Sequence, residues 1–343
     1  MPKLMLVILL GLTPILAGCR SGGASTSSGA TAELDEDTRI SIGLIKKNMI
    51  FVEGGEFLMG AYLPIHAVEK PFHGSDDDAS PMHTVRLSSY SIAKFKVTNR
   101  EYQIYLKHNG KTLRTTHENG DPDDFRVAIS SVPNLPARMD WHEAEQYCKW
   151  LAEVSKLPFA LPTEAQWEYA ARSRGDFVYA ATNDGTLRGT NAPYTSYEWD
   201  GGPRGINVST SGDRSDFAQL MGWPSGVMAR RPPLPVDKFP PNPLGLYAMT
   251  DNGLEWVKDW YDRDYYQYSP LQDPQGPDGP VTKSYFGNGM KVQRVSEQPN
   301  HQWGGALATA RSAREPEGYS DKGRFHRTEI TARCVVNLPA PVL

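Results

Sequence analysis

Glycine and proline punctuate this 343-residue chain, 31 and 27 of them, and they spread through its second half. Glycine loses the most backbone freedom on ordering, and proline withholds an amide donor, so neither settles easily inside helices or strands. A chain built this way folds as a loop-rich domain with few long helices. Its length allows one large or two small domains, and 39% hydrophobic residues suit a globular core. The formal net charge is −4 and no basic patch stands out, which argues against a nucleic-acid partner.

Three helix starts nevertheless carry a mechanism. Thr98-Asn99-Arg100-Glu101 reads as a capping box, in which the threonine hydroxyl accepts the third amide and the glutamate returns to the cap. That helix is expected to run to about His108, before Asn109-Gly110. Asp140-Trp141-His142-Glu143 is a second box, followed by Ala144, Tyr147, Cys148, Leu151 and Val154 on one face. Thr163-Glu164-Ala165-Gln166 is a third, with Trp167, Ala170 and Ala171 facing inward. Short strands are expected at residues 49–52, 56–59 and 84–87.

The N-terminal end points to export. Lys3 precedes an almost unbroken apolar run from Leu4 to Leu16, too short to span a bilayer stably. Residues 1–18 read as a secretory signal peptide. They end in Leu16-Ala17-Gly18-Cys19, which resembles the bacterial lipobox and makes Cys19 the expected lipidation site. A generic signal with a chance cysteine is the alternative. Acyl chains, at about 0.8 kcal/mol per buried CH₂, anchor a protein durably. Arg20 rather than aspartate follows, a pattern that in enterobacteria-like systems suggests the outer membrane. The expected location is therefore the periplasmic face of the outer membrane, where disulfides persist. Residues 19–48, rich in Gly, Ser, Thr and acid over their first half, are expected to form a flexible tether ahead of a domain at 49–338.

Read in order, six blocks resemble the formylglycine-generating enzyme, or sulfatase-modifying factor, family. They begin with residues 49–60 (Met49-Ile50-Phe51-Val52-Glu53-Gly54-Gly55) and continue through Pro81-Met82-His83-Thr84-Val85 and Val97-Thr98-Asn99-Arg100-Glu101-Tyr102. Residues 140–150 and Leu161-Pro162-Thr163-Glu164-Ala165-Gln166-Trp167-Glu168-Tyr169 form the most recognisable stretch. Pro241-Asn242-Pro243-Leu244-Gly245-Leu246-Tyr247 with Asn252-Gly253-Leu254-Glu255-Trp256, and finally Arg311-Ser312-Ala313-Arg314 with Ala332-Arg333-Cys334, complete the set. The resemblance implies an α+β fold: a single compact, C-type-lectin-like domain, low in regular secondary structure.

The resemblance also assigns the cysteines. Secreted members pair cysteines at the positions of Cys148 and Cys334, which implies that disulfide here. Two buried free thiols are the alternative. Members that oxidise cysteine to formylglycine use a closely spaced cysteine pair near the C-terminal end to bind copper and the substrate thiol. No cysteine lies between Val295 and Arg333, and Arg294-Val295-Ser296-Glu297 replaces the family's Arg-Gly-Gly-Ser-Trp-like turn. A thiolate is indispensable to that chemistry as ligand and nucleophile, so no catalytic residue is assigned and copper is not expected. A second branch of the superfamily holds non-haem iron with histidines from an added helical domain. The eight histidines here form no i, i+3 or i, i+4 pair, and iron is not expected either.

A structural calcium is the one cofactor the resemblance leaves open, with Asp251, Gly253 and Glu255 as candidate oxygen ligands; calcium takes six to eight. The alternative is that Glu255 binds buried backbone amides. The run Asp76-Asp77-Asp78, beside Gly74-Ser75, reads as a solvated turn rather than a metal site. Residues 194–235 carry Tyr194, Tyr197, Trp199, Trp223, Arg230 and Arg231 among glycines and prolines. Aromatic and arginine side chains are typical interface anchors, so this stretch is the expected partner-binding surface; a loop packed on its own domain is the alternative. The expected function is a non-catalytic, lipid-anchored periplasmic protein that binds a protein partner. By family analogy it is an accessory or immunity protein of a type VI secretion system, blocking a secreted toxin such as a lipase effector. The rival readings are a periplasmic maturation enzyme with an unrecognised site and a structural component of a secretion machine.

Overall fold

Strands of two to five residues make up the β structure among the described residues, apart from the seven-residue Leu254–Trp260. In a computed structural model, the described residues are 34–61, 78–116, 120–177, 180–188, 204–228, 232–282, 288–294, 308–317, 319–320, 325–326 and 330–343. Two small sheets organise the domain. The first runs in the order β1 (Met49–Val52), β4 (Tyr90–Ala93), β12 (Val335–Val336) and β5 (Phe159–Ala160), antiparallel throughout. It brings the last strand of the chain between two early segments. The second runs β11 (Ile330–Thr331), β6 (Leu254–Trp260), β7 (Lys291–Arg294) and β8 (Arg311–Arg314), with β11 parallel to β6 and the rest antiparallel. The register of β6 on β7 shifts between Trp256 and Trp260. A separate hairpin-like pair joins β2 (Gly55–Met59) to β3 (His83–Leu87), and β9 (Tyr319–Ser320) pairs with β10 (Phe325–His326).

The three capping boxes open helices where the sequence places them. Thr98, Asp140 and Thr163 cap α2 (Asn99–His108), α4 (Trp141–Ser155) and α5 (Glu164–Ala171), and each box is closed in both directions. A good cap is worth about 1 kcal/mol to a helix this short. α4 ends at Lys156, which takes a left-handed conformation at φ 59°. α5 is buried along its whole length, so its one-sided apolar face is an understatement: Glu164 and Glu168 lie inside as well.

The folded unit begins earlier than expected. Residues 36–47, assigned to the tether, form α1 (Glu36–Lys47), capped by the Asp35 side chain accepting from the Thr38 amide. Glu36 and Asp37 sit in its first turn and Lys46 and Lys47 in its last, matching the helix dipole. Ile42 and Ile45, one turn apart, are buried, and Ile45 joins the cluster of Tyr102, Tyr105, Tyr147 and Trp150. Burial of that stripe is what a tether lacks. Residues 35–343 make one unit.

Three further helices lie where irregular chain was expected: α3 (Asp124–Ser130), α6 (Ser211–Leu220) and α7 (Ser225–Met228). α6 opens with a fourth capping box, Thr210 with Asp213. α3 and α6 share a satellite core of Phe125, Ile129, Leu135, Ala218 and Trp223.

Candidate functional site

Cys148 and Cys334 are joined in a disulfide, with their Cα atoms 5.8 Å apart and a sequence separation of 186. Cys148 lies on the buried face of α4, and Cys334 lies between β11 and β12. The bond therefore ties the central helix to the crossing between the two sheets. Closing so long a loop is worth roughly 5 kcal/mol in the chain-entropy model.

β6 carries the two interior sites. At its start, Glu255 is fully buried, and four donors converge on its carboxylate. Lys96 Nζ donates to Oε1 at 2.6 Å, and Arg333 Nη2 to the same oxygen at 2.8 Å. Arg333 Nε and Trp167 Nε1 donate to Oε2 at 2.7 and 3.0 Å. Burial raises the pKa of Glu255, but the charges of Arg333 and Lys96 outweigh it and hold the group at about 2. Lys96 is itself fully buried and also donates to the Gly253 carbonyl at 2.9 Å. Burial lowers its pKa to about 8 against the pull of Glu255.

The turn before β6 is shaped to make these contacts. Asn252 and Gly253 have φ of 66° and 107°, left-handed values that glycine adopts freely and asparagine tolerates. The Asn252 side chain is paired with the Leu234 backbone in both directions, at 2.9 and 2.8 Å. Asp251 accepts the Ser209 amide at 2.7 Å. The calcium ligand set expected here is thus brought together, but its chemistry does not fit a divalent cation. Asp251 holds Ser209, and the Gly253 and Glu255 oxygens hold the protein's own ammonium and guanidinium groups. Among the described residues no cluster of three or more His, Cys, Asp or Glu is placed to hold a metal.

Four residues along β6, a second network surrounds Asp259. Arg294 donates to Glu164 Oε1 at 2.7 Å and Glu168 Oε2 at 2.9 Å. Arg311 donates to both oxygens of Glu164, at 2.7 and 3.0 Å, and also to the Asp78 carbonyl. Burial opposes ionisation of Glu164, but Arg311 and Arg294 hold its pKa below the usual value. Asp259 accepts the Glu164 amide at 2.8 Å. Burial and the neighbouring Glu164 charge push it to about 7. Asp78, expected in a solvated turn, is buried: it accepts from the Tyr261 hydroxyl at 2.7 Å, and burial raises its pKa. Asp76 and Asp77 lie outside the described residues.

An open cleft of about 420 Å³ lies beside β5, lined by Ala160, Leu161 and Leu338 as well as by Gln166, Lys258 and Gln275. Its amides are already engaged, Gln166 with Asn337 at 2.8 Å and Gln275 with Lys258 at 2.8 Å.

Of the expected partner-binding residues, Trp223 is corrected. It is 9% exposed and meets Phe217 edge-on at 5.7 Å, so it is a core residue of the α3–α6 cluster and not a free anchor. Tyr194, Tyr197, Trp199, Arg230 and Arg231 lie outside the described residues, as does Cys19. Lys96, Arg311 and Glu164 are buried ionic partners that the sequence patterns above do not single out. The available signal was a lysine between Phe95 and Val97, directly ahead of a capping box.

Comparison with known proteins agrees with this architecture. The chain matches FGE-sulfatase, the sulfatase-modifying factor enzyme 1-like domain, over residues 43–338. It is 26% identical over 267 residues to the formylglycine-generating enzyme of Streptomyces coelicolor, covering 67% of this chain and 74% of that one. It is 27% identical over 251 residues to the serine/threonine-protein kinase pkn1 of Chlamydia pneumoniae, covering 70% of this chain but only 32% of the kinase. Among solved structures, PvdO from Pseudomonas aeruginosa superposes with a TM-score of 0.57 at 22% identity, over 84% of this chain and 94% of that one. That last likeness concerns the fold alone. With its sheets, its disulfide and the greater part of its length accounted for, the chain belongs to the sulfatase-modifying factor enzyme 1-like domain family.

Proposed function

We propose that the protein is a non-catalytic periplasmic lipoprotein, anchored through Cys19, that binds a protein partner. The observation that carries this reading is the fate of the thiols. Cys148 and Cys334 are joined to each other, and the remaining cysteine of the sequence is the lipobox residue. Copper-dependent oxidation of a substrate cysteine needs a free thiolate as ligand and nucleophile, and this assignment leaves none. Relatives named as formylglycine-generating enzymes and as a kinase share the domain, so membership speaks for the scaffold and not for one activity.

The partner surface we assign is the stretch 194–235, around the α6–α7 lobe. With Trp223 inside, the described part of that stretch offers Leu220, 81% exposed, and Met221 at the end of α6. The partner is a secreted toxin, such as a lipase effector of a type VI secretion system, inhibited by steric cover of its active-site entrance. Support for this last step is family analogy together with the outer-membrane reading of the leader. A maturation enzyme with an unrecognised site is the second reading. It is favoured by the near-neutral titration of Asp259, since perturbed groups gather at functional sites.

The test is direct. Full-length protein purified from membranes is expected to retain a stoichiometric protein partner, to lose it on Leu220→Asp, and to leave cysteine peptides unoxidised with copper and oxygen present. Co-expression is expected to protect cells from a periplasmic lipase toxin encoded beside it. Conversion of a cysteine peptide to formylglycine overturns the non-catalytic reading, and failure to protect overturns the immunity role.

A further inference from the structure

At the turn of residues 251–253 the family resemblance and the donor set part company. Two carboxylates, Asp251 and Glu255, and the Gly253 carbonyl gather there, and all three residues are buried. Such an acidic, oxygen-rich turn needs a cation to hold it, because uncompensated buried carboxylates are strongly unfavourable. The chain supplies that cation itself. Lys96 arrives from the segment between β4 and α2 and bridges the Gly253 carbonyl and the Glu255 carboxylate at 2.9 and 2.6 Å. Arg333, arriving from between β11 and β12, closes the other side at 2.7 and 2.8 Å.

We propose that the Lys96 ammonium is the resident cation of this turn, doing covalently the work that a bound calcium ion would otherwise do. The charges support the substitution. Asp251 and Glu255 are balanced by Lys96 and Arg333, so the site is neutral as built. A calcium ion added to it leaves two positive charges uncompensated inside the protein, and displacing Lys96 leaves a buried lysine without its partners. The geometry agrees. A divalent ion needs six or more oxygens around it, whereas the two oxygens nearest Lys96 are already met by a donor with directional hydrogen bonds.

The consequence reaches beyond the turn. Asp251 ties Ser209 and Asn252 ties Leu234, so the lobe that carries those two residues is anchored to the turn that Lys96 holds. A metal-held turn would make that lobe sensitive to chelators, and a lysine-held one does not.

Thermal melting of the full-length protein in excess EDTA and in excess calcium chloride distinguishes the two. The expected result is one melting temperature in both, and a native mass spectrum of the polypeptide without a calcium adduct after dialysis against calcium. A melting temperature that falls in EDTA and returns with calcium overturns the proposal. Lys96→Met supplies the second arm, read by amide hydrogen exchange. Faster exchange across residues 250–256 with α2 still protected is expected, and wild-type protection of that turn overturns the assignment. Should Lys96→Met not fold, the chelator measurement on the wild-type protein decides alone.

Discussion

Glu255 and Asp259 are carboxylates four residues apart on one strand, both buried, yet their surroundings drive them to opposite ends of the acid range. Glu255 is held at about 2 and Asp259 is pushed to about 7. Burial raises both. What differs is the charge aimed at each. Glu255 receives an ammonium and a guanidinium in direct contact. Asp259 receives a backbone amide and faces the like charge of Glu164, while Arg294 and Arg311 are turned toward Glu164 instead. Depth of burial therefore does not decide the charge state of an interior acid; the number and direction of its counter-ions do.

The comparison breaks most severely at Glu255. Glu255→Gln preserves the shape but leaves Lys96 and Arg333 buried without their counter-charge. The expected loss is about 3–5 kcal/mol in urea denaturation, the usual cost of breaking a buried ion pair. An unchanged midpoint shows that the four donors do not depend on the charge.

The two acids also pull the pH profile in opposite directions. Glu255 is lowered from 4.5 to about 2, so the native state holds less proton than the unfolded chain in that window. Its contribution is present above 4.5 and fades as pH falls toward 2, amounting to about 3 kcal/mol. Asp259 is raised from 3.8 to about 7, so the native state keeps a proton that the unfolded chain releases. Its effect is a loss of stability as pH rises through that window. Urea midpoints measured from about pH 3 to about pH 8 are expected to show an acid limb that Glu255→Gln flattens, and a decline toward neutrality that Glu255→Gln leaves in place.

The smallest effect sharpens the contrast from the other side. Asp259→Asn keeps an acceptor for the Glu164 amide and removes the unfavourable charge. A gain on the order of 1 kcal/mol at neutral pH is expected, disappearing at low pH where the acid is already neutral. A loss at neutral pH shows instead that attraction to Lys291, whose own pKa burial lowers to about 8, outweighs the repulsion from Glu164.

Much of the framework was legible in the chain. Capping boxes at Thr98, Asp140 and Thr163 marked three helices, because a cap is a local exchange of hydrogen bonds four residues long. α1 was just as local, with Asp35 as cap, Glu36 and Asp37 in its first turn and Lys46 and Lys47 in its last. Its neighbours, a Gly- and Ser-rich run, disguised it. Trp223 was misread for a different reason. An aromatic residue between glycine and proline looks like an exposed anchor until α3, nearly 100 residues earlier in the chain, is seen to bury it. Asp78 looked solvated beside two other aspartates, and its buried partners, Tyr261 and Arg311, come from 183 and 233 residues away.

By itself, then, the sequence determined three helix starts, three of the short strands, the family blocks and the absence of cysteine between Val295 and Arg333. These depend on neighbours in the chain or on residue identity alone. The tertiary structure decided which charges meet. Lys96 and Glu255 are 159 residues apart and Arg333 and Glu255 are 78 apart, and their pairing requires β12 to enter the first sheet while β11 joins the second. Opposite charges carry no information about register at that separation. Only the closed fold, by excluding water from Glu255, makes a lysine between two apolar residues the cation that holds the turn.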